Sequence, residues 1–444
     1  MPTEKELIDE RIKKLNELRN LGINPFPYTF KRSYHAKDVL AKHAGLKPEE
    51  RTTDKVSVAG RIVSLRKMGK IAFAHVLDQS GKLQIYFKED NLKTYDQLRL
   101  FDIGDWIGVT GTVFATKSGE ITVDVQTFEM LCKSTRPLPD KFHGLKDTEL
   151  RYRQRYVDLI VTPEVREVAF KRIQILNAVK DFFREKGFLE VETPVLQTMY
   201  GGANARPFVT HHHDLNLQMY LRISLELYHK RLIVGGFEKV FEIGHVFRNE
   251  GIDTTHNPEF TLLECYQAYA DYHDMMELTE DCYNYVAKKV LGTTKINYQG
   301  KEIDVKKPWK RLTMHNALKE FAQIDVDKLG DENLKHELQS HKLELPKPWS
   351  RGAAIAELFK LCEPHLIQPV FITDHPIETT PLCKPLRNGN KALVERFEPF
   401  INGNEIGNAY SELNDPVLQR ELLEEQARQL KTGSTEAHPM DEDF

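Results

Sequence analysis

The run Phe247-Arg248-Asn249-Glu250-Gly251, followed by Thr255-His256-Asn257-Pro258-Glu259-Phe260, carries more chemistry per residue than any other part of the chain. Apolar and polar residues alternate on both sides of it, as Val240-Phe241-Glu242-Ile243 before and Phe260-Thr261-Leu262-Leu263-Glu264 after. The alternation predicts two strands joined by a long, glycine-containing loop. Such a loop can set the Arg248 guanidinium on a phosphate, the Glu250 carboxylate on an exocyclic amine and the Phe260 ring on an adenine face. An isolated Arg-x-Glu is ordinarily part of a charged hairpin, so the assignment depends on the rest of the chain.

Working outward, the 444 residues suffice for two or three domains. An apolar content of 40% beside 29% charged residues fits a soluble globular protein with a real core. The formal net charge of -4 sets up no global basic field, so any RNA contact must come from local patches. Cys132, Cys265, Cys282, Cys362 and Cys383 are scattered without metal-ligand spacing, as expected of reduced thiols in the cytoplasm. The N-terminus has no apolar segment and no long apolar run follows, which argues against secretion and membrane spanning. His211-His212-His213 cannot all face one ion from a strand, and a solvated loop accounts for them better than a metal site.

Residues 3–20 place Leu7, Ile8, Ile12, Leu15 and Leu18 at helical spacing, ended by Gly22 and Pro25. Residues 55–130 change period. Short alternating runs at 56–63, 72–78, 83–87, 106–113 and 121–125 are separated by turns such as Gln79-Ser80-Gly81, which suggests a five-stranded barrel of the OB type. Arg136-Pro137-Leu138-Pro139 reads as a stiff linker. Beyond it the expected fold is α+β. A helix over 164–187 ends at Gly187, and a strand over 188–194 is stopped by Pro194. Residues 313–363 read as an inserted helical subdomain, and the stretch from Gln426 to Phe444 is polar and acidic.

The hairpin resembles motif 2 of the class II aminoacyl-tRNA synthetases, enzymes that adenylate an amino acid. That reaction brings a carboxylate against an α-phosphate, so it needs a fixed cation, divalent metal on the phosphates and close positioning. Arg248 can supply the cation. Glu398 and Glu405 can hold magnesium, whose other ligands are usually water and phosphate. They lie in Glu398-Pro399-Phe400-Ile401-Asn402-Gly403-Asn404-Glu405-Ile406-Gly407-Asn408-Ala409-Tyr410-Ser411-Glu412. Asn408, Tyr410 and Glu412 keep period two and would point one way from a strand.

This run closely resembles the lysine-specific class II synthetases. The match extends through Pro137-Leu138-Pro139-Asp140-Lys141-Phe142-His143-Gly144-Leu145, residues 151–159 and Gly201-Gly202-Ala203-Asn204-Ala205-Arg206-Pro207-Phe208. It covers essentially the whole chain. The resemblance implies residues 1–54 as an N-terminal helical segment and 55–142 as an OB-type anticodon-binding barrel. Residues 143–444 would form a class II catalytic domain, an antiparallel sheet flanked by helices, with a helical insertion at about 313–363. It assigns Pro194 to the motif that builds a homodimer interface. Gly202 and Glu226 would hold the α-amino group of L-lysine and Asn408 its carboxylate. Glu412 with the Tyr266 hydroxyl would take the ε-ammonium, with Tyr410 on the aliphatic stem and Glu264 lining the same pocket. For ATP it gives Arg248 to the α-phosphate, Glu250 to the adenine amine, His256 to the outer phosphates, Asn257 near the nucleotide and Phe260 to the adenine ring. Arg248, Glu250 and His256 are thereby the catalytic candidates, and Mg2+ the expected cofactor on Glu398 and Glu405. For tRNA(Lys) it places Phe73 and Gln84 on anticodon bases, with Arg66 and Glu120 beside them.

The family pattern continues into a glycine-rich motif 3, and no Gly-x-Gly-x-Gly-x-Asp-Arg run occurs in residues 1–444. The leading expectation is therefore a lysine–tRNA ligase cut before motif 3. The alternative is a catalytically incomplete form that binds tRNA or lysine.

Overall fold

A computed structural model describes residues 3–139, 145–203, 205–380 and 382–431, with the backbone alone for 425–431. Residues 140–144 of the linker run, Asn204 and the acidic stretch 432–444 lie outside the described residues. The chain divides into two compact units, Met1–Val168 and Ala169–Phe444.

In the first unit, helix α1 (Glu4–Asn20) starts at a capping box in which Thr3 and Glu6 satisfy each other's backbone N–H groups. Helix α2 (Ala36–Lys42) follows. Five strands then close a barrel: β1 (Arg51–Met68), β2 (Ile71–Leu77), β3 (Lys82–Lys88), β4 (Trp106–Ala115) and β5 (Ile121–Cys132), in the order β1-β2-β3-β5-β4. The sequence alternation is the cause. Ala72, Ala74 and Val76 of β2 and Leu83, Ile85 and Phe87 of β3 point into one core with Val56, Val58, Val109 and Val123. Each of the valine, leucine, isoleucine and phenylalanine side chains so removed from water contributes about 1.5–3 kcal/mol. At Gly111 the β4–β5 pairing shifts register, and a Cβ there would lie 2.0 Å from the Asp124 carbonyl oxygen, so only glycine allows this close approach. Helices α3 (Thr148–Arg153) and α4 (Arg155–Val161) complete the unit; Asp158 of α4 is buried and paired with Arg151 and Arg155.

Helix α5 (Pro163–Glu185) ends at Gly187, whose φ of 82° is the left-handed stop expected of it. Strand β6 is only Leu189–Glu190, shorter than the alternation suggests. Strands β7 (Leu196–Gln197), β8 (Val209–His212) and β9 (Leu217–Leu221) form a small sheet. His211 and His212 thus begin in an exposed strand rather than a loop, and no metal-binding group forms around them among the described residues. After helix α6 (Glu226–Val234) comes the predicted pair, β10 (Lys239–Phe247) and β11 (Glu259–Gln267). The two are antiparallel from Lys239 opposite Gln267 to Phe247 opposite Glu259, and β6 adds to β10 in parallel. Phe241 and Cys265 face a core formed with Phe182, Phe183 and Phe188, which leaves the opposite face of the hairpin for the site.

Helix α7 (Tyr272–Leu291) and the hairpin of β12 (Lys295–Tyr298) and β13 (Lys301–Asp304) lead to a second sheet. Its strands are β14 (Lys310–Thr313), β15 (Val370–Pro376), β16 (Leu393–Ile401) and β17 (Asn404–Glu405), with β18 (Ala409–Tyr410) also on β16. The helices expected as a separate insertion, α8 (Met314–Ala317), α9 (Asp331–Ser340) and α10 (Arg351–Phe359), instead form the crossover between the parallel strands β14 and β15. They share one core with Val370, Ile372 and Phe400 of the sheet, so they are part of its packing rather than a body of their own. On the other face Phe371 and Phe397 pack with Tyr272 and Met276 of α7. Among the described residues the sheets of this unit are mainly antiparallel with two parallel pairings, and helix α11 (Pro416–Lys431) ends the described chain.

Candidate active site

The β10–β11 hairpin presents Glu242, Gly244, Val246 and Arg248 on the same face as Phe260, Leu262, Glu264 and Tyr266, because cross-strand partners share a face. The Arg248 guanidinium lies 5.1 Å from the Phe260 ring centroid and its Nε donates to the Ile223 carbonyl at 3.4 Å. Burial lowers its pKa, opposed by the charges of Glu250, Glu264 and Glu405, so these acids converge on it. The Arg206 backbone pairs with the loop, accepting from the Asn249 N–H at 2.7 Å and donating to Glu250 at 3.4 Å. His256 is exposed and held by Asp253 at 2.8 Å, and the Asn257 amide donates to the Glu259 carbonyl at 2.6 Å. An open cleft at this loop is lined by Arg172, His245, Asn257, Glu259, Phe260 and Thr261.

A buried polar constellation is built on α6. Glu226 is its first residue and Lys230 lies one turn later, so the two share a face. They are only 7% and 6% exposed. The Lys230 ammonium is 2.6 Å from Glu226 and 2.7 Å from Glu412, and it lies over the Tyr410 ring. The Tyr410 hydroxyl donates to the other Glu226 oxygen at 3.1 Å. Gly202 is in the left-handed region, with φ 84°, and a Cβ on it would fall 2.8 Å from the Glu226 Cβ; glycine is what lets this loop close over the acid. Glu264 accepts from the Leu225 N–H at 2.9 Å and from the Tyr266 hydroxyl at 3.1 Å. Burial, and then the Glu226 charge, push the Glu264 carboxyl up to about 7.

Beneath this pocket, Glu242 joins Arg222 at 2.8 Å, the Thr193 hydroxyl at 2.7 Å and the fully buried His229 at 3.2 Å. This network fastens the residue before Pro194 and helix α6 to β10.

On the second sheet, Glu405 stands opposite Phe400, which makes Glu398 its diagonal neighbour. Glu405 is exposed, yet crowding by protein and the Glu398 charge push its carboxyl up to about 7. Arg396 takes one Glu398 oxygen at 2.8 Å. Two carboxylates repelling each other are suited to a cation, but no group of three or more His, Cys, Asp or Glu is arranged for one among the described residues. The donor set therefore fits magnesium completed by water and phosphate, not a metal caged by protein.

The barrel carries a separate polar face. Arg66, exposed, is directly opposite Phe73, and Phe73 is opposite Tyr86 with ring centroids 4.8 Å apart. Phe73 points outward, since its neighbours Ala72 and Ala74 fill the core. The Gln84 amide donates to Glu120 at 2.7 Å and accepts from the Thr122 hydroxyl at 2.8 Å.

Residues 147–444 match the model of the tRNA synthetases class II (D, K and N), and residues 56–131 match that of the OB-fold nucleic acid binding domain. The chain belongs to the class II tRNA synthetases of the D, K and N group. Among the similar relatives of this synthetase are proteins named lysine–tRNA ligase. One from a Thermoanaerobacter strain is 52% identical over 444 residues, 99% of this chain and 88% of the relative. One from Clostridium botulinum is 50% identical over 451 residues, with the same coverage. One from Clostridium perfringens is 49% identical over 450 residues, covering 100% of this chain and 88% of the relative.

In this synthetase the expected lysine-pocket residues Gly202, Glu226, Glu264, Tyr266, Tyr410 and Glu412 lie around α6. Near Asn408 the strand is only Ala409–Tyr410, so the alternation expected from Asn408 to Glu412 pairs with β16 at two residues. The Tyr266 hydroxyl donates to Glu264, and the Glu412 charge also acts on it. Phe260, expected under an adenine, lies against Arg248. Lys230 and the Glu242–Arg222–His229 network went unread. The spacing of Glu226 and Lys230 is a sequence signal for the former, but such pairs are usually solvated.

Proposed function

We propose that the protein is a lysine–tRNA ligase that activates L-lysine with ATP and transfers it to tRNA(Lys). The observation that carries this reading is an ammonium group already lodged between Glu226 and Glu412. A site that accommodates one buried alkylammonium has the charge and donors to recognise the amines of lysine. The lysine carboxylate oxygen attacks the α-phosphorus of ATP, the bond to pyrophosphate breaks, and pyrophosphate leaves. A tRNA ribose hydroxyl then attacks the carbonyl carbon and AMP departs. Arg248 would neutralise the α-phosphate, with Glu250, His256, Asn257 and Phe260 around the nucleotide. Glu398 and Glu405 would hold Mg2+, which when bound offsets phosphate charge. Asn408 would take the lysine carboxylate.

The outward Phe73, with Arg66, Gln84 and Glu120, supports the barrel face as the anticodon contact, since bases stack on exposed aromatics and phosphates follow basic groups. Exposed Leu189, Val195, Leu196 and Met199 around Pro194 support a homodimer, because large apolar side chains gathered on one surface favour a partner. No helix among the described residues is long and apolar enough to cross a membrane, and a cytoplasmic location suits the substrates. The binding-only alternative gains nothing from the relatives, each of which is named a ligase.

ATP–pyrophosphate exchange with each standard amino acid tests the reading. Exchange with lysine alone is expected. Exchange with another amino acid in its place, or with none, would overturn it.

A further inference from the structure

Lys230 has no counterpart in a pocket meant simply to receive two external amines. One chain cation bridges the two acids that the lysine reading reserves for the substrate. Carboxylate oxygens each accept more than one hydrogen bond. Among the described residues Glu226 meets Lys230 with one oxygen and Tyr410 with the other, and Glu412 meets Lys230 with a single oxygen, which leaves acceptor capacity on both acids. Two partly desolvated carboxylates facing one cavity with no cation between them would not both stay ionised.

We propose that Lys230 is a positioning residue: a resident counter-cation that bridges Glu226 and Glu412 and holds both aimed inward before the substrate arrives. This rests on the reading of the pocket as a lysine site. The surrounding charges agree. Burial works against the Lys230 charge, but Glu226 and Glu412 outweigh it and hold its pKa above the ordinary value. Burial pushes the Glu412 carboxyl up to about 7 even against the pull of Lys230, with Glu226 adding to the rise and Lys384 opposing it. Glu264 and Tyr266 face the cluster from β11, Tyr410 from β18, Cys383 from the segment bridged to Glu412, and Arg396 from β16. His229, the neighbour of Lys230 on α6, is turned to Glu242. Among the described residues Lys230 is the cation that touches both acids, and without it their mutual repulsion favours proton uptake.

Calorimetric titration of the full chain with L-lysine, in buffers of different ionisation enthalpy, reads affinity and protons released together. Lys230→Met is expected to bind lysine at least about tenfold more weakly near pH 6, since one unit of pKa is a factor of ten. It should release about one more proton than the unmodified protein on binding, and the deficit should shrink near pH 8. Lys230→Arg, which keeps a cation, should restore the proton count. Equal or tighter lysine binding by Lys230→Met, with an unchanged proton count, would overturn the proposal. Absence of lysine binding by the unmodified protein would instead overturn the lysine reading itself. A crystal structure with lysine bound gives a test free of substitution. Lys230 should remain within hydrogen-bond distance of both acids, and a Lys230 swung out of the pocket would make it a mere stand-in for substrate.

Discussion

The barrel face and the α6 pocket are built by opposite means. On the barrel, Arg66, Phe73 and Gln84 are presented outward by strand alternation, and their side chains meet solvent while the core residues between them hold the strands. Around α6, Glu226 and Lys230 are buried, and Tyr410 reaches Glu226 across 184 residues of sequence. A surface that reads a flexible single strand gains from exposed rings and long polar arms. A pocket that must reject amino acids lacking a distal amine gains from buried acids, because a wrong substrate leaves one of them unpaired. The difference teaches where each kind of discrimination is placed: adaptable contacts on the barrel, desolvated charge in the second unit.

The substitution expected to break this contrast hardest is Arg248→Ala. It removes the fixed cation that the α-phosphate would meet, and adenylation should fall about 10²–10³-fold, as when one preorganised donor is lost. Pyrophosphate exchange measures it, and an unaffected rate would detach Arg248 from the reaction. Glu412→Gln should raise the KM for lysine roughly tenfold to a hundredfold, the loss of a hydrogen bond to a charged group. A KM for ATP that rose equally would mean general damage rather than a lost amine contact.

The acids of the pocket also set a pH dependence that the barrel face lacks. Glu264 and Glu412 rise from an ordinary 4.5 to about 7, first through burial, so the folded chain holds more protons than the unfolded one between those values. Stability of the ligand-free protein should therefore fall as pH rises through that window. Lysine affinity should run the other way, strengthening by up to about tenfold per pH unit as the carboxylates ionise. Thermal melts and lysine titrations over the same pH series check the two slopes, and parallel slopes would remove these acids from the account.

The same contrast explains what the sequence made legible. Period-two alternation locates all five barrel strands and the β10–β11 hairpin, because each strand has one face in a core. It overextends where a strand is brief: the run from Asn408 to Glu412 alternates throughout, yet only Ala409–Tyr410 pairs with β16. The helices at 313–363 look self-contained in sequence because their inward face meets strands that come later in the chain. Lys230 and the partners of Glu242 are invisible to local patterns, since a buried charge is declared only by the tertiary contact that offsets it.

The smallest expected effect bears most directly on the division between the two units. Phe73→Ala removes one outward ring and should weaken tRNA charging by a factor of about five, near the lower end for a lost base stack since the ring also leans on Tyr86. Charging of tRNA(Lys) and lysine-dependent pyrophosphate exchange, measured side by side on this one variant, decide the matter. The account predicts a raised KM for tRNA with exchange unchanged. Equal loss of both activities, or charging that is indifferent to Phe73, would contradict it.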